Sequence, residues 1–303
     1  MAGQQFHSVT ILSIVVMGIM SEDTPLKGPF DICEREVFNA SCSSGEMIFM
    51  HSAMYGRMSL GTCIKHHFSN RNCDIDVLNL VDGMCSGQAS CTVRPVNPAL
   101  LDVKPCPEHA AYLRPSYRCI KVLGDQSGYC RSESQITQPS GFLSSALRPS
   151  SGAGSSHCPW VLNVEGNKRI NITLYKFIPL SSPLASSSSV CFEVGALTEG
   201  SSAQGILSCG SDPRTKSVYV SKGGSIKLYF KDRSFLEDLG KFALHFDVVG
   251  CEDPRVPEGS SHVRRGDTAR ISCDNSDAFW EITCQDGKWE GEVGTCLAGK
   301  ERK

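Results

Sequence analysis

The chain opens with a twelve-residue apolar run, VTILSIVVMGIM at residues 9–20, and after residue 21 no apolar run is long enough for a membrane helix. Twelve residues fall short of the roughly 20 that cross a bilayer. They fit the hydrophobic segment of a signal peptide cleaved near Ile19-Met20-Ser21, where Ser21 is small. Beyond a short linker at 22–32 with Pro25, Gly28 and Pro29, the apolar positions become periodic. Val37–Ala40 and Met47–Met50 read as short strands. Between Asp74 and Met84, Ile75, Val77, Leu78, Leu80 and Val81 stand at helical spacing, with Gly83 as the terminator. Further on the period is two. Ile170, Ile172 and Leu174 alternate with Asn171, Thr173 and Tyr175. Ile226, Leu228 and Phe230 alternate with Lys227, Tyr229 and Lys231. Phe242, Leu244, Phe246 and Val248 alternate with Ala243, His245 and Asp247. That pattern predicts half-buried strands of an antiparallel sandwich, with the Ser-rich stretches at 149–156 and 181–189 as loops.

The cysteines divide the chain. Sixteen are present and none lies in the first 32 residues. Eight fall between Cys33 and Cys119, four at 130, 158, 191 and 209, and four at 251, 273, 284 and 296. An even number at this density predicts eight disulfides, an oxidising compartment and three separately stapled modules. Metal binding is the weaker reading, because Cys63-Ile-Lys-His66-His67 lacks a second ligand pair at zinc spacing. The first module mixes strands with one helix. The last, Cys251–Cys296, is too small to hold a core without staples. The expected fold class is multidomain and mainly β. A net charge of -2 and a pI of about 6.4, without any Lys/Arg run, argue against nucleic acid. No H-E-x-x-H, G-x-S-x-G or phosphate-cradling glycine loop is present, so an enzyme is not expected.

Particular residues carry family resemblances. Cys33-Glu34, Ala53-Met54-Tyr55-Gly56-Arg57, Cys85-Ser-Gly-Gln-Ala-Ser-Cys91-Thr-Val93, Asn97, Pro105-Cys106, Tyr112-Leu113 and Tyr117-x-Cys119 resemble, in order, the landmarks of the SUEL-type (rhamnose/galactose-binding) lectin domain. The same domain type occurs at the front of latrophilin receptors. The resemblance covers 33–121. It implies a small disulfide-rich α/β domain with pairs Cys33–Cys63, Cys42–Cys119, Cys73–Cys106 and Cys85–Cys91. Residues 128–250 resemble a CUB domain, an antiparallel β-sandwich, through Cys158-Pro-Trp160, Cys191-Phe-Glu193, Cys209-Gly210, Phe230-Lys-Asp232 and Gly240-Lys-Phe242. The implied pairs are Cys130–Cys158 and Cys191–Cys209. Residues 251–297 resemble a small β sushi (complement control) module through Cys251-Glu-Asp-Pro254, Ile271-Ser-Cys273, Thr283-Cys284 and Asp286-Gly287-Lys-Trp289, with pairs Cys251–Cys284 and Cys273–Cys296.

The lectin resemblance implies a sugar site. Sugar recognition needs a carboxylate for vicinal hydroxyls, polar donors and an aromatic ring for the C–H face. Glu34, Tyr55 and Asn97 match the family's positions. Lys104 stands where the family has Asp and Ala111 where it has Lys; Asp102 is the candidate substitute. The bland alternative keeps Tyr55-Gly56-Arg57 as a structural loop, with Gly serving the backbone and Arg a packing hydrogen bond. The CUB resemblance implies calcium at Glu193 and Asp232 with Ser234 nearby, although the Glu expected ahead of Cys191 is replaced by a Ser-rich stretch. Asn39 and Asn171 begin N-glycosylation sequons. Arg265-Gly266-Asp267 spells an integrin tripeptide but is expected to be a turn. Together these readings describe a secreted, extracellular carbohydrate-binding protein with glycan or glycoprotein ligands and protein contacts through its CUB and sushi modules. The alternative is an adhesion or receptor-organising protein whose modules all bind protein.

Overall fold

The computed structural model describes residues 24–65, 73–106, 109–123, 130, 132–148, 151–166, 168–285 and 287–296. The apolar run at 9–20 and its cleavage site, His66, His67 and the tail from 297 lie outside them. The chain is a mainly β, multidomain fold. In the first module β1 (Phe38–Ser41) pairs with β4 (Ser90–Val93), while β2 (Glu46–Arg57), β3 (Cys73–Asp76) and β5 (Tyr112–Lys121) form an antiparallel sheet in the order β3-β2-β5. Two short helices, α1 (Leu78–Cys85) and α2 (Pro98–Leu101), complete it. Disulfides join Cys33 to Cys63, Cys42 to Cys119, Cys73 to Cys106 and Cys85 to Cys91.

The helix is shorter than its periodicity predicts. Ile75 belongs to β3, where it pairs with Tyr55 and is 44 % exposed. The ladder to β2 holds this segment extended, and α1 begins only after Asp76, whose Oδ1 accepts from the Leu78 N–H at 2.7 Å. Gly83 does not end the helix, which continues to Cys85. A Cβ at Gly83 would stand 2.4 Å from the Ile178 carbonyl oxygen of the next module, so the glycine serves a close approach instead.

The second module is a two-sheet sandwich. One sheet contains β6 (Ser134–Ile136), β8 (Trp160–Asn163), β10 (Cys191–Glu199), β11 (Ser202–Cys209) and β13 (Ser225–Phe230), in the order β11-β10-β13-β8-β6. The other contains β7 (Ser140–Ser144), β9 (Arg169–Phe177), β12 (Thr215–Val220) and β14 (Lys241–Val249), in the order β12-β9-β14-β7. All pairings are antiparallel except β6 with β8. The inner faces bury Trp160, Leu162, Ile170, Ile172, Leu174, Ile226, Leu228, Phe230, Phe242, Leu244 and Phe246, the apolar half of the alternation. Two one-turn helices interrupt the loops, α3 (Pro183–Ser186) and α4 (Arg233–Glu237). α3 corrects the reading of 181–189 as plain loop. Ser182 caps it through the Leu184 N–H, Pro183 takes the first turn, and Leu184 is buried. The cystine pairs are Cys130–Cys158 and Cys191–Cys209.

The third module is one meander, β15 (Ser260–Arg265), β16 (Thr268–Cys273), β17 (Phe279–Gln285) and β18 (Lys288–Glu290), in that order. Among the described residues its core is Ala269, Ile271 and Ile282 with Val256, Trp280 and Trp289 against them. Cys251–Cys284 and Cys273–Cys296 staple it. For so small a core each bridge is worth about 2–5 kcal/mol.

The first two modules dock face to face. In β2, Ile48 and Met50 enter the core of the first module, whereas Met47 and Phe49 point the other way. Met47, Phe49, Ile120 and Val122 pack on Phe142, Tyr175, Phe177 and Ala243 of the β12-β9-β14-β7 sheet. Tyr175 and Phe177 lie on the face opposite Ile170, Ile172 and Leu174, the side expected to meet solvent. They are buried because the first module covers them. Into this apolar seam the second module sends Arg214. Its Nε and Nη2 donate to both Asp82 oxygens at 2.8 Å, and Nη2 also donates to the Met50 carbonyl at 2.8 Å. The guanidinium carbon lies 4.3 Å from the Phe49 ring centroid. Lys241 Nζ donates to Gly83 O at 2.8 Å beside it. Burial raises the Asp82 carboxyl above its ordinary value, and Arg214, the Ser86 hydroxyl and Lys241 pull it back.

Candidate functional site

The matching sugar-site positions gather at the end of β2 remote from the docked face. Tyr55 lies in β2 between Ile75 of β3 and Leu113 of β5. Its ring belongs to the module core and is only 5 % exposed, so it offers no open face for sugar C–H stacking, which corrects the expected aromatic role. Its hydroxyl donates to Pro95 O at 3.4 Å in a buried hydrogen bond. Burial first, and then the Glu34 carboxylate, push that hydroxyl's pKa up. Glu34 is therefore within electrostatic reach of Tyr55. Its carboxylate is exposed and makes no hydrogen bond or ion pair among the described residues.

Pro95 sits in the turn that delivers Asn97, closed by the Asn97 N–H to Arg94 O bond at 2.9 Å. Asn97 Oδ1 then caps α2 by accepting from the Ala99 N–H at 2.9 Å, with Pro98 in the first helical position. One half of the Asn97 amide is thus spent on structure. Its NH2 donates to no described residue. Asp102 ends α2 and is exposed, about 7–8 Å along the axis from Asn97 at 1.5 Å per residue. No hydrogen bond ties it to Glu34, Tyr55 or Asn97 among the described residues. Lys104 follows in a left-handed backbone conformation, φ 43°, and is exposed.

The rest of the Tyr55-Gly56-Arg57 motif is structural. A Cβ on Gly56, whose φ is 145°, would meet Cys73 O at 2.2 Å and Asp74 Cα at 2.6 Å, so only glycine lets β3 pair here. Arg57 Nη1 donates to Ala110 O at 3.2 Å. The Tyr112 hydroxyl accepts from the Ser59 N–H at 3.1 Å, and Arg114 bridges Asp31 and Ser59. These bonds pin the strand ends under the site.

The candidate calcium residues do not form a cage. The Glu193 carboxylate lies across Gly205 and is paired at 2.7 Å with the Lys231 ammonium, a cation already occupying that carboxylate. Asp232 is the residue that opens α4 and lies beside Arg148, and Ser234 is exposed on that helix. These three residues do not fit calcium, which needs several converging oxygens. The metal-like clusters among the described residues are Cys33/Glu36/Cys63 and Cys42/Glu46/Cys119, and the cysteines of both are disulfide-bonded.

Asn39 is exposed on β1, with Oδ1 accepting from the Thr92 hydroxyl at 3.0 Å. Asn171 is half-buried on β9. Its Nδ2 donates to Asp247 at 3.2 Å and its Oδ1 accepts from Ser217 at 3.3 Å. Arg265-Gly266-Asp267 is the β15–β16 turn, with Gly266 at φ 63°. Its Asp267 carboxylate is held by Arg169 of the second module at 2.7 and 2.8 Å, which removes it from an integrin-type display. The Arg214–Asp82 clamp has no counterpart in the motif reading. Its one sequence signal is the unbroken apolar run Met47–Met50, too continuous for a strand with a solvent face.

Residues 40–119 match the family profile described as D-galactoside/L-rhamnose binding SUEL lectin domain. A D-galactoside-specific lectin of Heliocidaris crassispina is 35 % identical over 92 residues, 29 % of this chain and 86 % of that protein. The L-rhamnose-binding lectin ELEL-1 of Echinometra lucunter is 37 % identical over 93 residues, 30 % of this chain and 88 % of that protein. Among solved structures, the CUB1-EGF-CUB2 region of human MASP-1/3 aligns over 76 % of this chain and 97 % of that one at 11 % identity, but a TM-score of 0.26 carries no argument. No helix among the described residues is long and apolar enough to cross a membrane. Through residues 40–119 the chain belongs to the D-galactoside/L-rhamnose-binding SUEL lectin family.

Proposed function

We propose that the chain is a secreted, non-enzymatic lectin that binds a rhamnoside or galactoside at Glu34, the Tyr55 hydroxyl and the Asn97 amide. The supporting observation is the meeting of these positions around the Tyr55 hydroxyl, with the exposed Glu34 carboxylate beside it. A carboxylate accepts from two vicinal hydroxyls, and the Asn97 NH2 donates to a third. Asp102 stands at the edge, where it adds an acceptor for a larger glycan. The second and third modules, read as CUB and sushi, contact extracellular proteins. Export is supported by eight disulfides and the apolar run at 9–20, and it places glycans on Asn39 and Asn171.

Titration calorimetry of the full chain with L-rhamnose and D-galactose tests this reading. A saturable signal that Asn97→Ala weakens supports it, and absence of heat with either sugar at millimolar concentrations counts against it. The latrophilin-type alternative, in which this module binds protein, is favoured by two observations. The Tyr55 ring is covered, and Lys104 and Ala111 have replaced two charged positions.

A further inference from the structure

A cleft of about 460 Å³ opens where the first two modules meet. Its volume lies within the range of small-ligand sites. Gln88 and Ser90 line it from the first module. Leu147, Arg233, Glu237 and Lys241 line it from the second. We propose that this cleft binds an acidic saccharide, a sulfated or carboxylated sugar, between Arg233 and Lys241.

The lining has the necessary chemistry. Arg233 and Glu237 stand four apart on α4 yet form no ion pair, so each keeps its charge for a ligand. Arg233 is exposed and spends one Nη2 bond on Ala146 O at 2.9 Å. Its guanidinium has five donors in all. Lys241 spends one bond on Gly83 O at 2.8 Å and has three donors. Arg148 lies behind Arg233 and is half-buried. Burial and the neighbouring Arg233 lower its pKa and Asp232 opposes them, so a second guanidinium stands close to Arg233 on this wall. Leu147 and Leu236 give an apolar floor for C–H faces.

Glu237 selects between anions. It accepts from the hydroxyls of a sugar, donors that an acidic peptide's carboxylates do not supply. The cleft exists only while the modules are docked. It is separate from the lectin site, because it adjoins the docked end of the first module whereas Tyr55 lies at the far end of β2.

The test is calorimetric titration of the full chain with a sulfated tetrasaccharide, its desulfated counterpart and a poly-glutamate peptide. Binding of the sulfated sugar alone is expected, weakened by salt and at least tenfold by Arg233→Glu. Ser90→Trp, which fills the cleft from the opposite wall, is expected to weaken it similarly and serves if Arg233→Glu misfolds. The proposal is overturned if the sulfated sugar does not bind, if both folded variants bind like the parent, if the peptide binds as well, or if free L-rhamnose displaces the tetrasaccharide.

Discussion

Replacing Arg214 by Ala should separate the first two modules energetically. The Asp82 side chain is 4 % exposed and the Arg214 side chain 23 %, and their bonds are bidentate at 2.8 Å. Removing the guanidinium strands a buried carboxylate with the Ser86 hydroxyl and the more distant pull of Lys241. Breaking a buried pair in this way costs about 3–5 kcal/mol. The contact with the Phe49 ring adds about 0.5–2 kcal/mol. For a unit of this size the two losses together are a fall in Tm of roughly 7–28 °C, at about 2–4 °C per kcal/mol. Differential scanning calorimetry is the assay, because it resolves separate transitions in a chain that is not two-state.

The pH dependence gives a second handle. Without Arg214, the folded pKa of Asp82 rises further above its unfolded value. Between those two values the folded state holds the extra proton, so the variant loses stability as pH rises and recovers as pH falls. Asp82→Asn/Arg214→Met should be far less damaged than the sum of its single variants. Losses below 1 kcal/mol for Arg214→Ala, additivity in the double variant, or a pH-independent deficit would refute the clamp.

Other consequences are simpler to check. Gly83→Ala should destabilise the same transition by about 1–3 kcal/mol through overpacking, despite a helix-propensity gain of about 1 kcal/mol. The Cβ would meet Ile178 O at 2.4 Å, and a thermal shift toward higher stability would refute that contact. His245 is buried against Phe142, and burial, opposed by Asp247, lowers its pKa. The unfolded histidine therefore binds the proton first, so stability should fall as pH drops below about 6.5. His245→Gln should flatten that part of the Tm–pH curve, and an unchanged slope would point to other groups. Lys168→Ala should leave the calorimetric profile close to the parent's, since its partner Glu252 is 79 % exposed and solvent screens the pair.

The sandwich was legible because its alternation is complete on the inner faces. The first module was legible through its cysteine spacing and through Tyr55, Gly56 and Arg57. The docked face was half-written. Met47–Met50 lacks a polar side, and Tyr175 stands among the polar positions of β9, but neither names its partner. Arg214 is one of 30 basic residues with no periodic signature, so only three-dimensional packing reveals it. Gly83 has the same ambiguity, since a helix end and a close approach both call for glycine. At the site, a tyrosine in a family motif does not say whether its ring or its hydroxyl is exposed. Here both are covered: the ring lies in the module core and the hydroxyl is turned onto Pro95 O.

The most direct test of the central claim is retention of the full chain on an immobilised rhamnoside or galactoside, with free monosaccharide as eluant, for the parent and for Glu34→Gln. The exposed carboxylate should provide charge-assisted hydrogen bonds worth about 1.5–3 kcal/mol, roughly 10- to 150-fold in Kd. Retention of the parent, elution by free sugar and loss in Glu34→Gln are the expected results. Equal retention of both proteins, or no retention of a correctly folded parent, would contradict a sugar site at Glu34 and Tyr55.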